Sequence, residues 1–519
     1  MKREEMIDRM EDHPEKWDFV IIGGGATGMG AATDAASRGY QVLLLEQSDF
    51  AKGTSSRSTK LVHGGVRYLQ QGNISLVLEA LEERGLLLEN APHLVFNLPF
   101  IVPNYDWWEG PFYGAGLKIY DVLAWKRGFG ASKMLSKEKT VELIPTVEQK
   151  GLKGGVIYHD GQFDDSRLVV NMAQTATEQG ATLLNYMKVK RLNKKNDQIC
   201  GVIAHDVEND KEYEINAKVV INATGVFCDD IRKMDDPVAK NIIQPSQGVH
   251  IVLDKSFLPG KSAIMVPHTD DGRVLFAIPW HDCVVIGTTD TAVENAVLEP
   301  KPMQEELDFL LTHAAKYLTK DPVAKDVLSA FAGLRPLVTA NDTENTAAIS
   351  RDHSLNISRS GLVTITGGKW TTYRKMAEDT VNQAAILAGL DTRSCVTREL
   401  RIHGYHKNPE QFKNLAIYGS DATKIQDLIR KNPGFENRIS DKLPVCVGEV
   451  IWSVREEMAR TVEDILSRRT RSLLLNARES IEMAPKIAEL MAQELNKDSQ
   501  WIKQQITDYT EIAQNYLVK

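Results

Sequence analysis

The chain opens with an apolar and small-residue pattern that is typical of a parallel β-sheet. Residues 18–28 read DFVIIGGGATG, a β-branched apolar run that ends in glycines. The next residues read ATGMGAATDAASRG, an alanine-rich helical pattern with Gly39 at the helix C′ position, and are followed by a second apolar run, YQVLLLEQ. The pattern predicts a βαβ unit with two parallel strands covered by a helix.

Later segments extend this pattern and then change it. We predict strands at GGVIYHDG, ATLLNYMKVKRL and KEYEINAKVVINAT, and a helix at SRLVVNMAQTATEQGA. Short strands then recur between turn signals, at HIVLD, SAIMV, RVLFAIP and CVVIGTT, and predict an antiparallel sheet that forms the roof of a pocket. Residues 361–385 again read as strand, Gly-Gly and helix, GLVTITGGKWTTYRKMAEDTVNQAA.

The pattern beyond residue 392 is amphipathic, charged and poor in glycine. Apolar residues recur there at helical spacing, for example from Val447 through Val454 to Leu466. We therefore expect an α/β domain over residues 1–391, with the roof at roughly 90–150 and 240–340, and a helical C-terminal domain over residues 392–519.

Composition and charge exclude several kinds of binding partner. The 519 residues carry a formal net charge of -8, which argues against a nucleic-acid partner because such proteins present a strongly basic face. The five cysteines are scattered without metal-ligand spacing, so we expect no metal site and a reducing cytoplasm. The amino-terminal residues lack an apolar signal segment, and no window offers about 18 uninterrupted apolar residues.

An aromatic-rich segment lies between Phe96 and Phe129. It contains Trp107, Trp108, Phe112, Tyr113, Tyr120 and Trp125, followed by Lys126 and Arg127. Aromatic side chains beside cations suit the headgroup region of a membrane, but such segments also form packed interiors or lids over a site. The sequence therefore leaves open a peripheral contact with the inner face of the cell membrane.

The glycine pattern of the first unit carries the first chemical signal. Gly23, Gly25 and Gly28 form G-x-G-x-x-G between strand and helix, with Ala26 and Thr27 at the helix start. Glu46 ends the next strand, where an acidic group meets an adenosine ribose. Glycines let a pyrophosphate approach the backbone N–H groups at the helix N-terminus, so the unit predicts dinucleotide binding.

A second pair of glycines, Gly367 and Gly368, lies between a strand and a helix far along the chain. A helix N-terminus with Lys369 beside it would stabilise the negative charge of a reduced flavin, whereas a nicotinamide ring gains no such anion. The alternative is an unrelated turn with a surface lysine.

Several motifs, in order, resemble those of the FAD-dependent glycerol-3-phosphate dehydrogenases, in the group of glycine oxidase-like flavoproteins. The motifs are IIGGGATG, GTSSRSTKLVHGGVRYL, VVINATG, VIGTTDT, AGLRPL, ITGGKWTTYRKMAEDTV and, in the tail, EVIWSVREEMARTVEDILSRRTR. The resemblance implies a Rossmann-like FAD-binding domain with an antiparallel-sheet substrate subdomain. It also implies oxidation of sn-glycerol 3-phosphate to dihydroxyacetone phosphate, with electrons passed to a quinone.

The resemblance also implies roles for single residues. The implied FAD-binding residues are Gly23, Gly25, Ala26, Thr27, Gly28, Glu46, Thr54, Ser55, Ser56, Thr59, His63, Gly64, Gly65, Thr224, Gly225, Asp290, Gly367, Gly368 and Lys369, with the hydroxyl of Ser58 near the cofactor. The implied substrate residues are Arg67, Tyr68, Arg335, Arg351 and Lys369, because guanidinium groups hold a phosphate dianion through paired hydrogen bonds. Each arginine could equally anchor a loop through a carboxylate.

Oxidation of a secondary alcohol also needs a base for the hydroxyl proton. The candidates are His250 and His63, with Arg335 and Lys369 as further catalytic candidates near the developing alkoxide. The chain departs from the family at Val226–Cys228, where Pro-Trp is common after Thr-Gly. There is no room for the insertion of the related oxidases, which favours a quinone over dioxygen as acceptor.

Other functions and partners are compatible with the sequence. One alternative is an amine or amino-acid oxidase on the same scaffold, and another is a flavin-binding protein without catalysis. A homodimer is left open. The basic cluster of Arg468, Arg469 and Arg471 is interpreted as a solvated helix face or as a contact with anionic lipid.

Overall fold

The computed structural model describes residues 1–13, 15–65, 73–106, 109–124, 129–267, 269, 273–338 and 353–518. Its α-helices span Arg3–Glu11, Ala26–Ser37, Ile74–Asn90, Glu109–Ala124, Lys137–Leu143, Asp165–Glu178, Cys228–Asp235, Gln304–Ala315, Tyr373–Leu387, Ala422–Lys431, Val447–Glu456, Ser472–Leu475, Ala477–Leu495 and Ser499–Gln514. Its strands are β1 (Trp17–Ile22), β2 (Val42–Leu45), β3 (Leu61–Val62), β4 (Val95–Asn104), β5 (Lys133–Ser136), β6 (Gly154–Phe163), β7 (Thr182–Leu184), β8 (Met187–Lys195), β9 (Gln198–Asp206), β10 (Lys211–Asn222), β11 (Ile243–Asp254), β12 (Ala263–Val266), β13 (Leu275–Trp280), β14 (Cys283–Gly287), β15 (Thr291–Ala292), β16 (Val327–Val338), β17 (His353–Ile357) and β18 (Val363–Gly367).

The first sheet is the predicted parallel sheet. Its strands lie in the order β17-β18-β10-β1-β2-β7, and β1 pairs in parallel with both β2 and β10. β1 and β2 read as continuous apolar runs because both of their faces are buried. Parallel strands all end at the same edge, so the glycine turn after β1, the end of β10 and the Gly-Gly turn after β18 lie side by side.

The second sheet contains the predicted roof strands. It has the order β15-β11-β14-β13-β12-β4-β6-β3, with β16 beside β11 and β5 beside β6. Its longest pairing is β11 with β16, in which Ser246 lies opposite Arg335 and His250 lies opposite Phe331. Side chains alternate between the faces of a strand, so Ser246 and His250 share a face with Arg335.

One predicted strand is divided in the structure. The run ATLLNYMKVKRL forms β7 in the parallel sheet and β8 in a separate antiparallel ribbon with β9. Tyr186 adopts a positive φ of 55° between them, and the Asn185 side chain donates a hydrogen bond to the carbonyl oxygen of Met458. Apolar content alone does not reveal this turn, because both strands are rich in buried side chains.

The region after residue 392 is helical, as predicted. Its apolar periodicity does not form one helix, since Met458, with a φ of 56°, separates Val447–Glu456 from the π-helical turn Asp464–Arg469. The helices share a core with the second sheet through Val252 and Phe331. The C-terminal helices therefore pack on the same face of β11 and β16 as His250 and Arg335.

Candidate active site

A cavity of about 530 Å³ lies at the carboxyl edge of the parallel sheet. Its walls come from the turns that follow three parallel strands and from a loop after β2. The lining residues include Gly23, Gly25, Ala26, Thr27, Glu46, Lys52, Gly53, Thr54, Ser55, Thr224, Gly225, Gly367, Gly368, Lys369 and Trp370. The carboxyl edge of an open parallel sheet is the usual position of a nucleotide site.

The glycine turn after β1 is closely packed. Gly23 has a φ of 110°, and a Cβ added at Gly28 would lie 1.9 Å from the carbonyl oxygen of Gly23. The backbone N–H of Ala26 donates to Ser55 Oγ at 2.9 Å, so the hydroxyl-rich segment is tied directly to the start of the helix. Both glycines are therefore required for the close approach of helix and strand.

Glu46 lies at the end of β2, on the wall of this cavity. Its carboxylate accepts hydrogen bonds from the backbone N–H groups of Gly24 at 2.7 Å and Ser48 at 2.9 Å. Burial raises the pKa of Glu46, and those two hydrogen bonds oppose the rise. The position matches that of the acidic residue that binds an adenosine ribose in dinucleotide sites.

The cavity has room for a dinucleotide against its backbone walls. Gly53 and Gly225 both line it, and a Cβ added at either position would meet no atom of the part of the chain that the structure describes within 4 Å. The two glycines therefore leave an open cradle between the loop after β2 and the turn after β10. The donors at the helix start, the acid on β2 and this cradle fit FAD.

Two smaller cavities continue from the first towards the second sheet. The middle one, about 220 Å³, shares Thr54 and the residues Gly367–Trp370 with the first. The third, about 170 Å³, shares Thr59, His63 and Arg335 with the middle one. The three cavities form a path from the glycine turn to the roof.

Arg335 projects from β16 into the two smaller cavities. Its Nη1 donates to Asp290 Oδ1 at 3.2 Å, and its Nη2 donates to Thr288 Oγ1 at 3.0 Å and to the carbonyl oxygen of Thr289 at 3.1 Å. A Cβ at Gly248 would lie 2.3 Å from Nη2. The guanidinium thus lies flat over a glycine, in a fixed orientation suited to an oxyanion.

His250 lies on the same face of β11, behind Arg335. The imidazole stacks on Phe331 with a centroid distance of 4.9 Å, and its Nε2 lies 2.9 Å from Thr59 Oγ1. Burial, together with the charges of Arg335 and Lys60, lowers the pKa of His250 well below its usual value. The ring is therefore neutral at physiological pH.

A buried ion pair supports the hydroxyl-rich segment from below. Lys60 Nζ donates to both carboxylate oxygens of Asp165, at 2.7 and 2.8 Å, and Asp165 also accepts from the Ser58 hydroxyl at 2.7 Å. Lys60 has a positive φ of 63°. These contacts fix the direction in which Thr59 and His63 enter the cavities.

Two family models match the chain. Residues 18–374 match the family model described as FAD dependent oxidoreductase, and residues 363–502 match the C-terminal domain of alpha-glycerophosphate oxidase. The chain is 42% identical over 518 residues to the mitochondrial glycerol-3-phosphate dehydrogenase of Homo sapiens, covering 93% of this chain and 71% of the relative. The corresponding protein of Schizosaccharomyces pombe is 39% identical, with 96% and 87% covered.

The chain belongs to the glycerol-3-phosphate dehydrogenase family.

Solved structures agree with this assignment. The glycerol-3-phosphate dehydrogenase from Bacillus halodurans, solved as a complex with FAD, superposes with a TM-score of 0.81 at 30% identity, covering 99% of this chain and 97% of that chain. Glycine oxidase from Geobacillus kaustophilus superposes with a TM-score of 0.54 at 17% identity over 74% of this chain and 98% of that one, a likeness of fold alone. The predicted fold class, an FAD-binding α/β fold with a helical C-terminal domain, is confirmed.

Most of the residues that the resemblance selected lie along the path of cavities. Arg67, Tyr68 and Arg351, three of the expected substrate residues, lie outside the described residues. Asp290 was expected beside the cofactor, but it lines the third cavity and accepts a hydrogen bond from Arg335. Gly64 lies behind the wall, where its N–H donates to the hydroxyl of Tyr120.

Two further residues of the set, Ser56 and Gly28, stand apart from the walls of the three cavities that the described residues form. Ser56 donates to the carbonyl oxygen of Gly53 at 3.5 Å, and Gly28 packs on Gly23. Gly65 lines only the third of these three cavities. Ser56 and Gly28 therefore support the cofactor cavity without facing it.

Both interpretations of the basic cluster in the tail are wrong. Arg468, Arg469 and Arg471 are buried and form ion pairs with Asp49 and Asp164. The local sequence does not reveal this burial, because the partners Asp49 and Asp164 lie hundreds of residues earlier.

Two tyrosines of the aromatic segment fit its interpretation as a packed interior. Tyr113 and Tyr120 are buried, and Tyr120 donates to Asp160 Oδ2 at 2.8 Å, as expected of a packed interior. Trp107, Trp108, Trp125, Lys126 and Arg127 lie outside the described residues.

Sequence reasoning missed several residues of the site. Lys52 and Trp370 line the first cavity, and Trp370 Nε1 donates to the carbonyl oxygen of Ser55 at 2.9 Å. Gly248 and Gly287 were also missed, although a lone glycine within a strand is a known signal of close approach. A Cβ at Gly287 would lie 2.2 Å from Cδ2 of His250.

Proposed function

We propose that this protein oxidises sn-glycerol 3-phosphate to dihydroxyacetone phosphate with FAD as its cofactor. The observation that carries the proposal is the path of connected cavities, which begins at the dinucleotide cradle and ends at Arg335. The family relationship supplies the substrate, since the curated relatives are named for glycerol 3-phosphate.

In this proposal the first sheet binds the cofactor and the second sheet binds the substrate. The first sheet would hold the pyrophosphate at the helix start after Gly25 and the ribose at Glu46. FAD, when bound, supplies the acceptor for the hydride that leaves C2 of the substrate. Lys369 lines the first two cavities, so its ammonium would face both the cofactor ring and the substrate.

The second sheet would orient the substrate and receive its proton. The fixed guanidinium of Arg335 would bind the phosphate through paired hydrogen bonds, together with the expected contributions of Arg67 and Arg351. The neutral imidazole of His250, reached through the hydroxyl of Thr59, would accept the proton of the C2 hydroxyl. His63 lines the same two cavities and is the alternative base.

Steady-state turnover with an artificial electron acceptor tests the proposal. We expect reduction of the acceptor with sn-glycerol 3-phosphate and far slower reduction with glycerol, which lacks the phosphate that Arg335 would bind. Glycine and other amino acids serve as the opposing substrates. Hydrogen peroxide formation from amino acids, with no response to glycerol 3-phosphate, would favour the amino-acid oxidase alternative and contradict the proposal.

For the electron acceptor, we propose a membrane quinone reached by peripheral contact. Exposed apolar side chains lie on three neighbouring elements: Ile74 and Leu78 on helix Ile74–Asn90, Ile119 on helix Glu109–Ala124, and Met134 on β5. Gly114 and Met134 are in contact, which joins the second helix to β5. Among the described residues no helix is both long and apolar enough to cross a bilayer.

Sedimentation with anionic lipid vesicles tests the membrane contact. The double variant Ile119→Glu/Met134→Glu should lose most of its vesicle binding while retaining turnover with a soluble dye, because the two side chains lie outside the cavities. Val238→Glu is the matched control, since Val238 is 85% exposed on a different part of the surface. Equal vesicle binding by both variants would contradict the proposed surface.

A further inference from the structure

A short segment of the C-terminal region reaches both loops that line the cofactor cavity. We call Arg468, Arg469 and Arg471 the arginine segment. All three side chains are at most 4% exposed. They lie on the π-helical turn Asp464–Arg469 and immediately after it. Three buried guanidinium groups in so short a stretch need carboxylate partners. Arg468 pairs locally with Glu463 and Asp464, and the segment also pairs with two aspartates of the FAD-binding domain.

The first partner is Asp49, three residues after Glu46. Arg469 binds both of its oxygens, with Nη1 2.7 Å from Oδ2 and Nη2 2.9 Å from Oδ1, and Arg468 Nε donates to Oδ2 at 2.5 Å. Burial raises the pKa of Asp49, but the charges of Arg469 and Arg468 outweigh this effect and lower it to about 2. Asp49 is therefore ionised and held by two guanidinium groups.

The loop that carries Asp49 is tied to the glycine turn. The backbone N–H of Ala51 donates to the carbonyl oxygen of Gly24 at 3.0 Å, and Gly24 in turn donates to Glu46 at 2.7 Å. Lys52, on the cavity wall, forms an ion pair with Glu463 at 2.6 Å, and Glu463 also binds Arg468 at 2.8 Å. The C-terminal region thus holds this loop at both Asp49 and Lys52.

The second partner is Asp164, which lies beside the hydroxyl-rich segment. Arg471 Nε lies 3.0 Å from Asp164 Oδ2. The next residue, Asp165, binds Lys60 and Ser58, which flank Thr59. The Ser166 hydroxyl donates to the carbonyl oxygen of Arg468 at 3.1 Å. A shift of the arginine segment would therefore displace the supports of both cavity walls.

We propose that the arginine segment positions the two cofactor loops from behind and so determines how tightly the protein retains FAD. Its members are positioning residues, because they act through Asp49 and Asp164 and none lines the three cavities described above. The inference rests on FAD as cofactor but not on the identity of the substrate. A buried carboxylate without its guanidinium partner is costly, so the loop would leave its position when the partner is weakened.

The structure offers a matched control across the same interface. Arg167 binds Glu457 with both guanidinium arms, at 2.7 Å each, and is as deeply buried as Arg469. Neither Arg167 nor Glu457 belongs to the two cofactor loops. Arg469→Lys and Arg167→Lys each keep the charge and lose a bidentate contact with a buried carboxylate. Arg469→Lys also weakens the hydrogen bond that Nη2 donates to the carbonyl oxygen of Glu457 at 2.8 Å. The two changes should therefore lower the Tm of the apoprotein by similar amounts.

The measurement is the rate of FAD release from the purified holoenzyme, followed by the fluorescence of free flavin after dilution. We expect Arg469→Lys to release FAD about tenfold faster than wild type and Arg167→Lys to release it at the wild-type rate. With saturating FAD, Arg469→Lys should regain the wild-type KM for substrate. Equal release rates for the two variants would overturn the proposal, whatever the substrate of the enzyme proves to be.

Hydrogen exchange provides a second readout that does not depend on these substitutions being equally stable. In Asp49→Asn, the amides of residues 46–52 should exchange faster, while the amides of the Arg167 helix should exchange at the wild-type rate. Uniform acceleration across the domain would show general destabilisation and would overturn the positioning role.

Discussion

Thr59 Oγ1 lies 2.9 Å from Nε2 of His250, and this contact joins the hydroxyl-rich segment to the middle of β11. The other ring nitrogen, Nδ1, is buried and has no hydrogen-bond partner among the described residues. Thr59 is therefore the polar group that fixes the orientation of the ring. It also lines both of the smaller cavities, between the ring and the space for substrate.

Replacing Thr59 by valine keeps the shape of the side chain and removes this hydrogen bond. We expect kcat to fall about 10- to 100-fold, because a misplaced base loses much of its contribution to proton transfer. Thr33→Val is the control, since Thr33 is also buried and donates to the carbonyl oxygen of Met29 at 2.8 Å. A wild-type kcat and pH profile in Thr59→Val would rule out this role.

Arg335→Lys tests the phosphate site. Lysine keeps the charge but loses the paired donors, so kcat/KM for glycerol 3-phosphate should fall about 30-fold, mainly through KM. Arg455→Lys is the matched control because Arg455 forms an exposed pair with Glu494, and it should change kcat/KM by less than about twofold. An unchanged KM in Arg335→Lys would place the phosphate elsewhere.

Gly28→Ala tests the packing of the glycine turn. The added Cβ would lie 1.9 Å from the carbonyl oxygen of Gly23, so the helix must move away from β1. We expect FAD affinity to fall about 10- to 100-fold, measured by reconstitution of the apoprotein. Gly116→Ala is the control: a Cβ there would meet no atom of the described residues within 4 Å, and alanine favours a helix. Equal FAD affinity in Gly28→Ala and Gly116→Ala would contradict the role of Gly28.

His403 makes stability depend on pH. It bridges Glu178 and Asp421, at 2.6 Å each. Burial lowers the pKa of His403, but the hydrogen bonds to Asp421 and Glu178 outweigh it and raise the pKa from 6.5 to about 9. Because the folded pKa is the higher one, the contribution is complete below pH 6.5 and is lost as the pH rises through about 9.

The free energy of unfolding should fall by on the order of 2 kcal/mol over this pH range. This is less than the pKa shift alone implies, because Glu178 is 54% exposed and solvent screens its interaction with His403. Urea unfolding at pH 6 and at pH 9.5, compared with His403→Gln, measures it. The variant should lack most of the difference between the two pH values. Parallel pH dependence in both proteins would show that another group is responsible.

The local sequence pattern predicted those parts of the fold in which hydrophobic periodicity and glycine positions agree. The strand, glycine turn and helix at residues 18–39, and again at 361–385, were placed correctly because strong periodicity and glycine punctuation agree there. Tyr186 was missed because its turn depends on a distant contact of Asn185 with Met458. Local patterns do not encode such tertiary contacts.

In the site, too, some residues could be named from the sequence, whereas their arrangement is visible only in the fold. Arg335 and His250 were named from a family resemblance, but only the register of β11 with β16 shows that they share a face. The arginine segment was misinterpreted because charge alone predicts exposure, whereas the partners Asp49 and Asp164 are supplied by the fold. Gly248 and Gly287 carried a usable signal, since glycine within a strand marks a close approach.

Anaerobic addition of sn-glycerol 3-phosphate to the FAD-replete protein tests the central claim most directly. We predict loss of the visible absorbance of oxidised flavin, with one dihydroxyacetone phosphate formed for each FAD reduced. A fully loaded protein that keeps its yellow colour in the presence of excess substrate would contradict the account.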